Sequence, residues 1–387
     1  MDDLAAARAR CDTLDAMAAT PEERARSYHN WQLALGGTEL ALSVAYLLAW
    51  LLTGASVALR GALVAVTPAW WIDVPLSMMV LGAGYRLLSL PLSWLGGFWL
   101  PRRFGLLHQP LSKWLADGAK ATGIGGVLGI LASLAVYGLM LSTPRWWLWG
   151  AAIFLGGYAL IALIAPVWLV PLFYRLTPLT DTGLGERLLR LAQRASVPVI
   201  GVWVADQSRK SRTANAAVLG FGATRRILLF DTLIAEFTPG EVEAVLAHEL
   251  AHQVHGDIGR GLLVQGALTL CTFWVADHAL RLGTRALGLD GPADVAAMPL
   301  FGLVLIAVGL VAVPLGNGWS RRVERQADDF ALETIQDSAP FIGAMRRLAS
   351  LNLAETAPHP IKEFLLYSHP SIKRRVARAR AFAERRS

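Results

Sequence analysis

Charge is scarce in this chain. Only 17% of its 387 residues are charged, while 54% are hydrophobic. Soluble domains carry about a quarter charged residues. With a mean hydropathy of +0.44, the composition points to an integral membrane protein rather than a soluble globule. Cysteine is nearly absent. Cys11 and Cys271 are the only two, and without C-x-x-C spacing they exclude a thiolate metal site. A secretory signal is not expected either. The first 39 residues carry Asp2, Asp3, Arg8, Arg10, Asp12 and Asp15 instead of a short basic start leading into an apolar run, so the first apolar segment is expected to remain as a span. The net charge of +7 raises the question of nucleic acid. No aromatic-basic platform accompanies it, and nucleic acid is excluded as a partner.

Six segments are long and apolar enough to cross about 30 Å of hydrocarbon: roughly 40–59, 74–100, 121–143, 146–173, 261–280 and 295–318. Arg86 falls in the middle of the second and is expected to face protein or a water-filled cavity. Tryptophans gather at span ends, among them Trp70, Trp71, Trp99, Trp146 and Trp147, as amphipathic rings do at a membrane interface. Lys and Arg mark alternate loops. The N-terminal arm, the loop with Arg102, Arg103, Lys113 and Lys120, the stretch 174–260 and the tail are basic. Basic loops stay in the cytoplasm, so both ends and the 174–260 segment are expected in the cytosol. The Ala- and Arg-rich composition suggests a bacterial inner membrane. The chain then divides into a cytosolic arm (1–39), a four-span region (40–173), a soluble segment (174–260), a two-span region (261–318) and a C-terminal helical segment (319–387).

Soluble-type structure is expected in 174–260. Residues 197–205, 214–219 and 226–230 read as strands, with Gly220-Phe221-Gly222 as a hairpin turn between the last two. Thr238-Pro239-Gly240-Glu241 is a helix start with cap, N1 proline and capping box. The helix it opens carries His248-Glu249-Leu250-Ala251-His252.

Side chains at i and i+4 share one helix face, so His248 and His252 present two imidazoles to one point. Glu249 stands beside the first, where it can take a proton from water. This H-E-x-x-H pattern is a specific sign of a zinc protease. A catalytic zinc needs a third protein ligand and an open position. Ile258 stands where a metzincin would have its third histidine. His255 is a conceivable ligand but lies one turn further along. Glu324 is the better candidate: with Asp328 it forms an i, i+4 carboxylate pair just after the last span. One of the two binds the metal, and the other accepts a hydrogen bond from a ligand histidine.

These residues carry a family resemblance. The chain resembles the type I CAAX prenyl proteases, whose family also holds the HtpX proteases. The likeness extends to Pro171-Leu172-Phe173, to Asn215-Ala216 leading into Gly220-Phe221, to Arg226 through Phe230-Asp231-Thr232-Leu233, to Glu324 and Asp328, and to Ser368-His369-Pro370-Ser371 with Arg375. Ala217 departs from it, standing where family members usually have an aromatic. The resemblance implies a mainly α fold: a polytopic bundle of about six spans with a cytosolic α+β zinc-protease domain of the gluzincin type. It implies one Zn2+ per chain on His248, His252 and Glu324, with Asp328 supporting a ligand histidine. Glu249 is the expected base, and His369 the expected oxyanion donor.

If 214–219 is a sheet edge near the metal, a peptide can add to it as a strand, with Asn215 as anchor. Arg375 is a further candidate for substrate binding, or else the partner of an acidic residue. The expected partners are the lipid bilayer and a peptide or membrane-protein substrate. Three functions compete: a CAAX-type endopeptidase, an HtpX-like quality-control protease, and a non-enzymatic zinc-binding membrane scaffold. Glu249 argues against the last, since a structural site needs no base.

Overall fold

Thr20 opens the first described helix with the device that Thr238 uses later. Its side chain accepts from the Glu23 backbone, and the Glu23 carboxylate accepts from the Thr20 N–H. Helix α1 (Pro21–Leu52) therefore begins well inside the stretch expected as an arm. This computed structural model describes residues 20–66, 69–220 and 222–386. The rest of the arm, with Cys11, and Phe221 of the expected turn lie outside the described residues.

The expected span 40–59 is not one segment. At the end of α1, Thr53 back-bonds its hydroxyl to Ala49 O (2.6 Å). Gly54 then takes φ 75°, a left-handed conformation that favours glycine. A separate helix, α2 (Ala55–Val66), follows. Next come α3 (Trp70–Arg103), α4 (Leu111–Ser142) and α5 (Trp146–Ile164). Pro101 and Pro171 have no N–H to continue an α-helical ladder. Just before each the chain widens into a π-helical turn, at Leu95–Trp99 in α3 and at Ala165–Leu169 after α5. Arg86, expected to face protein or a cavity, is half-buried and donates to Ser93 Oγ (3.0 Å).

The chain then builds β1 (Leu176–Pro178), α6 (Thr182–Arg194), β2 (Val202–Ala205), β3 (Ala216–Leu219), β4 (Arg226–Phe230), α7 (Asp231–Glu236) and α8 (Pro239–Val254). The sheet order is β1-β2-β4-β3. β2 and β4 run parallel, and β3 pairs antiparallel with β4, Ala216 opposite Leu229 and Leu219 opposite Arg226. β3 is therefore an edge. The expected strand 197–205 shortens to β2. Pro198 cannot donate to a ladder, and the Val197 N–H is spent on Ala192 O at the end of α6.

Gly256, at φ 65°, turns the chain from α8 into α9 (Asp257–Ala286) within a few residues. After it comes α10 (Met298–Ile335). With these two, six helices are long and apolar enough to cross a membrane among the described residues. α10 has 38 residues, about 57 Å at 1.5 Å per residue, nearly twice the hydrocarbon thickness. Its first half exposes Leu310, Val311 and Leu315, as a lipid-facing helix does. Its second half buries Val323, Glu324, Ala327, Asp328 and Ala331 at helical spacing.

Helices α11 (Ser338–Leu351), α12 (Pro360–Leu366) and α13 (Ile372–Glu384) complete the fold. One core joins what the spans separate in sequence. Leu188, Leu191, Ile227, Leu229, Leu246 and Leu250 from the first stretch pack with Leu332, Phe341 and Ala379 from the second.

Candidate active site

Ala244, Ala247, Leu250 and Ala251 tie α8 into the core. Small residues on that face let α10 approach closely, and the imidazoles on the next face of α8 meet Glu324. Ligand atoms of His248, His252 and Glu324 all lie within 4.8 Å of one another. His248 Nε2 stands 3.1 Å from Glu324 Oε2, and His252 Nε2 3.7 Å from Glu324 Oε1. The other nitrogen of each ring is held from behind. His248 Nδ1 is 3.0 Å from Asp328 Oδ1, and His252 Nδ1 is 3.0 Å from Asp257 Oδ2. With Nδ1–H donated to a carboxylate, each Nε2 turns its lone pair inward.

These residues suit a divalent metal. Glu324 Oε2 is buried without a well-aligned hydrogen-bond donor, although His248 is near. Burial favours a neutral His248, yet the hydrogen bonds of Asp328 and Glu324 outweigh it and raise the group to about 9. The pocket thus demands positive charge at its centre. Two imidazoles and one carboxylate are a donor set of catalytic zinc sites.

Glu249 lines the same cleft of about 340 Å³, together with Asn215, Asn352, His369 and Arg375. Burial pushes its carboxyl up; His248 and His252 oppose that, and Glu324 adds to it. His369 sits at the mouth, its Nε2 3.4 Å from Glu324 Oε1 and its Nδ1 2.9 Å from Ser368 Oγ. Asn215, exposed beside edge strand β3, turns its side-chain oxygen back onto the Ala216 N–H (2.9 Å). Arg375 is buried, with Nε 2.9 Å from Asp328 Oδ2 and Nη2 3.3 Å from His248 Nδ1. Of the two roles open to it, the geometry favours the acidic partner. His255, the alternative ligand, lies outside the cluster and packs edge-on against Phe330, ring centroids 5.7 Å apart.

Two participants went unread in the sequence. Asp257 is the counterpart of Asp328, and its signal was a carboxylate five residues past His252, across a glycine. Asn352 bonds both backbone groups of Ala214, accepting from N (3.0 Å) and donating to O (3.2 Å). No local pattern connects residues that distant.

Residues 178–383, more than half of the chain, match the model of peptidase family M48. The chain belongs to peptidase family M48. Residues 14–175 match the N-terminal region of CAAX prenyl proteases, described as five membrane helices; in the described part of that stretch four helices are long enough to span, and α2 is a shorter apolar one. The M48 chain is 27% identical to the uncharacterized metalloprotease YhfN of Bacillus subtilis over 85% of its own length and 78% of that protein's. It is 30% identical to the CAAX prenyl protease 1 homolog of Arabidopsis thaliana, over 75% and 69%. With CAAX prenyl protease 1 of Saccharomyces cerevisiae it shares 33% identity over 43% and 37%. The crystal structure of S. mikatae Ste24p superposes with a TM-score of 0.78 at 23% identity, covering 92% of this chain and 88% of that one. The fold expected from the sequence, a polytopic helical bundle carrying a small α+β protease domain, is the one found. The chain is a membrane metalloendopeptidase.

Proposed function

We propose that this protease is zinc-dependent and hydrolyses peptide bonds in membrane-associated or C-terminally lipidated, CAAX-like substrates. One observation carries the reading: His248, His252 and Glu324 converge within 4.8 Å in the cleft that holds Glu249 and Asn215, the residue before edge strand β3. The three would hold one zinc ion per chain. When bound, zinc supplies a Lewis acid that acidifies water and polarises the scissile carbonyl.

The chain's own residues do the rest. Glu249 takes the proton from the attacking water and delivers it to the leaving amine. His369 donates a hydrogen bond to the developing oxyanion. Asp328 and Asp257 fix the ligand tautomers, and Arg375 steadies Asp328. The substrate backbone adds to β3 as an extra strand, with the Asn215 amide N–H donating to it. Relatives named CAAX prenyl proteases support the substrate class. The basic segments flanking the spans favour a cytoplasmic active site on a bacterial inner membrane.

The test is cleavage by the purified full chain in detergent. A prenylated CAAX peptide and an unfolded membrane protein are each offered with and without chelator. The expected result is chelator-sensitive cleavage of the CAAX peptide that Glu249→Gln lowers by several orders of magnitude while metal content is kept. Undiminished turnover by that variant would overturn the mechanism. Cleavage of the unfolded protein alone would overturn the substrate class and favour quality control.

A further inference from the structure

A second cleft lies where α4 begins and the chain leaves α5 for the protease domain. Its volume is about 400 Å³. Five cations line it: Lys113 and Lys120 from α4, Arg175 after α5, and Arg209 and Lys210 from the loop before β3. Asp117 is the single carboxylate in the lining, and it is already engaged. Lys210 Nζ is 2.7 Å away, Lys120 Nζ 3.5 Å, and Gln109 Nε2 donates to it at 3.1 Å. Arg209 pairs with Asp206 behind the cleft (2.9 Å). Among the described residues no carboxylate pairs with Lys113 or Arg175, and both are exposed.

The wall is amphipathic. Lys210 lies over the rings of Phe173 (5.5 Å) and Tyr174 (4.7 Å), and Lys120 over Phe173 (5.9 Å). Leu172, 49% exposed, offers an apolar side in the same lining. The cleft is also braced. The backbone N–H groups of His108 and Gln109 donate to Lys210 O, and that of Arg212 donates to Leu106 O. Excess positive charge in a braced cleft at the end of two spans, with rings and an aliphatic face beside it, matches an anionic headgroup with its chains in the bilayer.

We propose that this cleft binds a phosphate-bearing anion, supplied by the headgroup of an anionic phospholipid. The cations neutralise the phosphate, and Leu172 meets the upper acyl chain. The site is separate from the metal cleft, and the inference rests only on the chain crossing a membrane.

The test uses the full chain in nanodiscs of phosphatidylcholine, with or without phosphatidylglycerol, and in neutral detergent with inorganic phosphate. Retained lipid is read by native mass spectrometry, and the thermal midpoint is followed in parallel. Wild type should retain phosphatidylglycerol in preference to phosphatidylcholine and show a raised midpoint with it. Lys113→Gln and Arg175→Gln should each weaken that retention about fivefold, the equivalent of about 1 kcal/mol per surface cation. Arg145→Gln, in the loop at the opposite ends of α4 and α5, should leave it unchanged. A midpoint raised by inorganic phosphate and abolished in the two cleft variants would assign the anion to a soluble source. Equal retention of both lipids with no phosphate effect would overturn the proposal. So would a loss with Arg145→Gln as large as with the cleft variants.

Discussion

His248 Nδ1 lies 3.0 Å from Asp328 Oδ1, so the ring that faces Glu324 on one side is held by a second carboxylate on the other. Both carboxylates come from α10, one helical turn apart. A single helix thus supplies the proposed ligand and the group that orients its neighbour. Asp328→Asn should lower metal affinity about 10- to 100-fold, the usual effect of losing such a partner. Metal bound per protein against a competing chelator is the measurement. Arg375→Leu checks for general damage: it removes the other contact of Asp328 and the longer Arg375 contact to His248 (3.3 Å), but leaves the Asp328–His248 bond in place. It should lower stability more than metal affinity, and equal affinity losses in both variants would contradict the orienting role.

Asp257 does the same for His252, with Oδ2 3.0 Å from Nδ1. Its other oxygen accepts from Arg260 Nη1 at 3.0 Å. Asp257→Ala should therefore weaken metal binding by about tenfold or more, and Arg260→Ala by less. An Asp257 variant with wild-type affinity would show that the contact is only a helix-start interaction in the first turn of α9.

Helix geometry explains what the sequence disclosed. His248 and His252, like Glu324 and Asp328, are i, i+4 pairs, and a helix places such pairs without help from the rest of the fold. The cap at Thr238 is equally local. Asp257 is only five residues from His252, yet the contact depends on Gly256 adopting φ 65°, which periodicity does not register. Asn352 meets Ala214 across 138 residues, so only the folded chain shows it. β1 is three residues long, too short for an alternating pattern. The start of α1 is legible at Thr20-Pro21-Glu22-Glu23, but the charged first half of the helix interrupts the apolar run that marks a span.

The edge position of β3 makes Asn215 testable as a backbone anchor. Its side-chain oxygen already accepts from Ala216 N–H, which leaves the amide N–H groups to donate. Asn215→Ala should lower kcat/KM roughly three- to tenfold, the cost of about one hydrogen bond. The loss should fall on KM more than on kcat, because the contact is made in the bound substrate and the transition state alike. A drop confined to kcat would place Asn215 in the chemical step instead.

Acid should loosen the segment that carries His369. Glu355 is buried beside Lys362 and accepts from Tyr367 Oη at 3.2 Å; Tyr367 lies two residues before His369. Burial alone would raise the Glu355 carboxyl, but the Lys362 hydrogen bond and charge, with the Tyr367 hydroxyl, outweigh it and hold the group below its ordinary 4.5. With the folded value below the unfolded one, the unfolded chain takes up the proton more readily. The stabilisation is therefore complete above the unfolded value of 4.5 and is lost as pH falls through the folded one. Thermal midpoints of wild type and Glu355→Gln should differ by a constant amount from neutral pH down to about 5 and converge below it. A difference that widens on acidification would mean that Glu355 gains, rather than loses, stabilisation when protonated, and the charge pairing with Lys362 could not be its source.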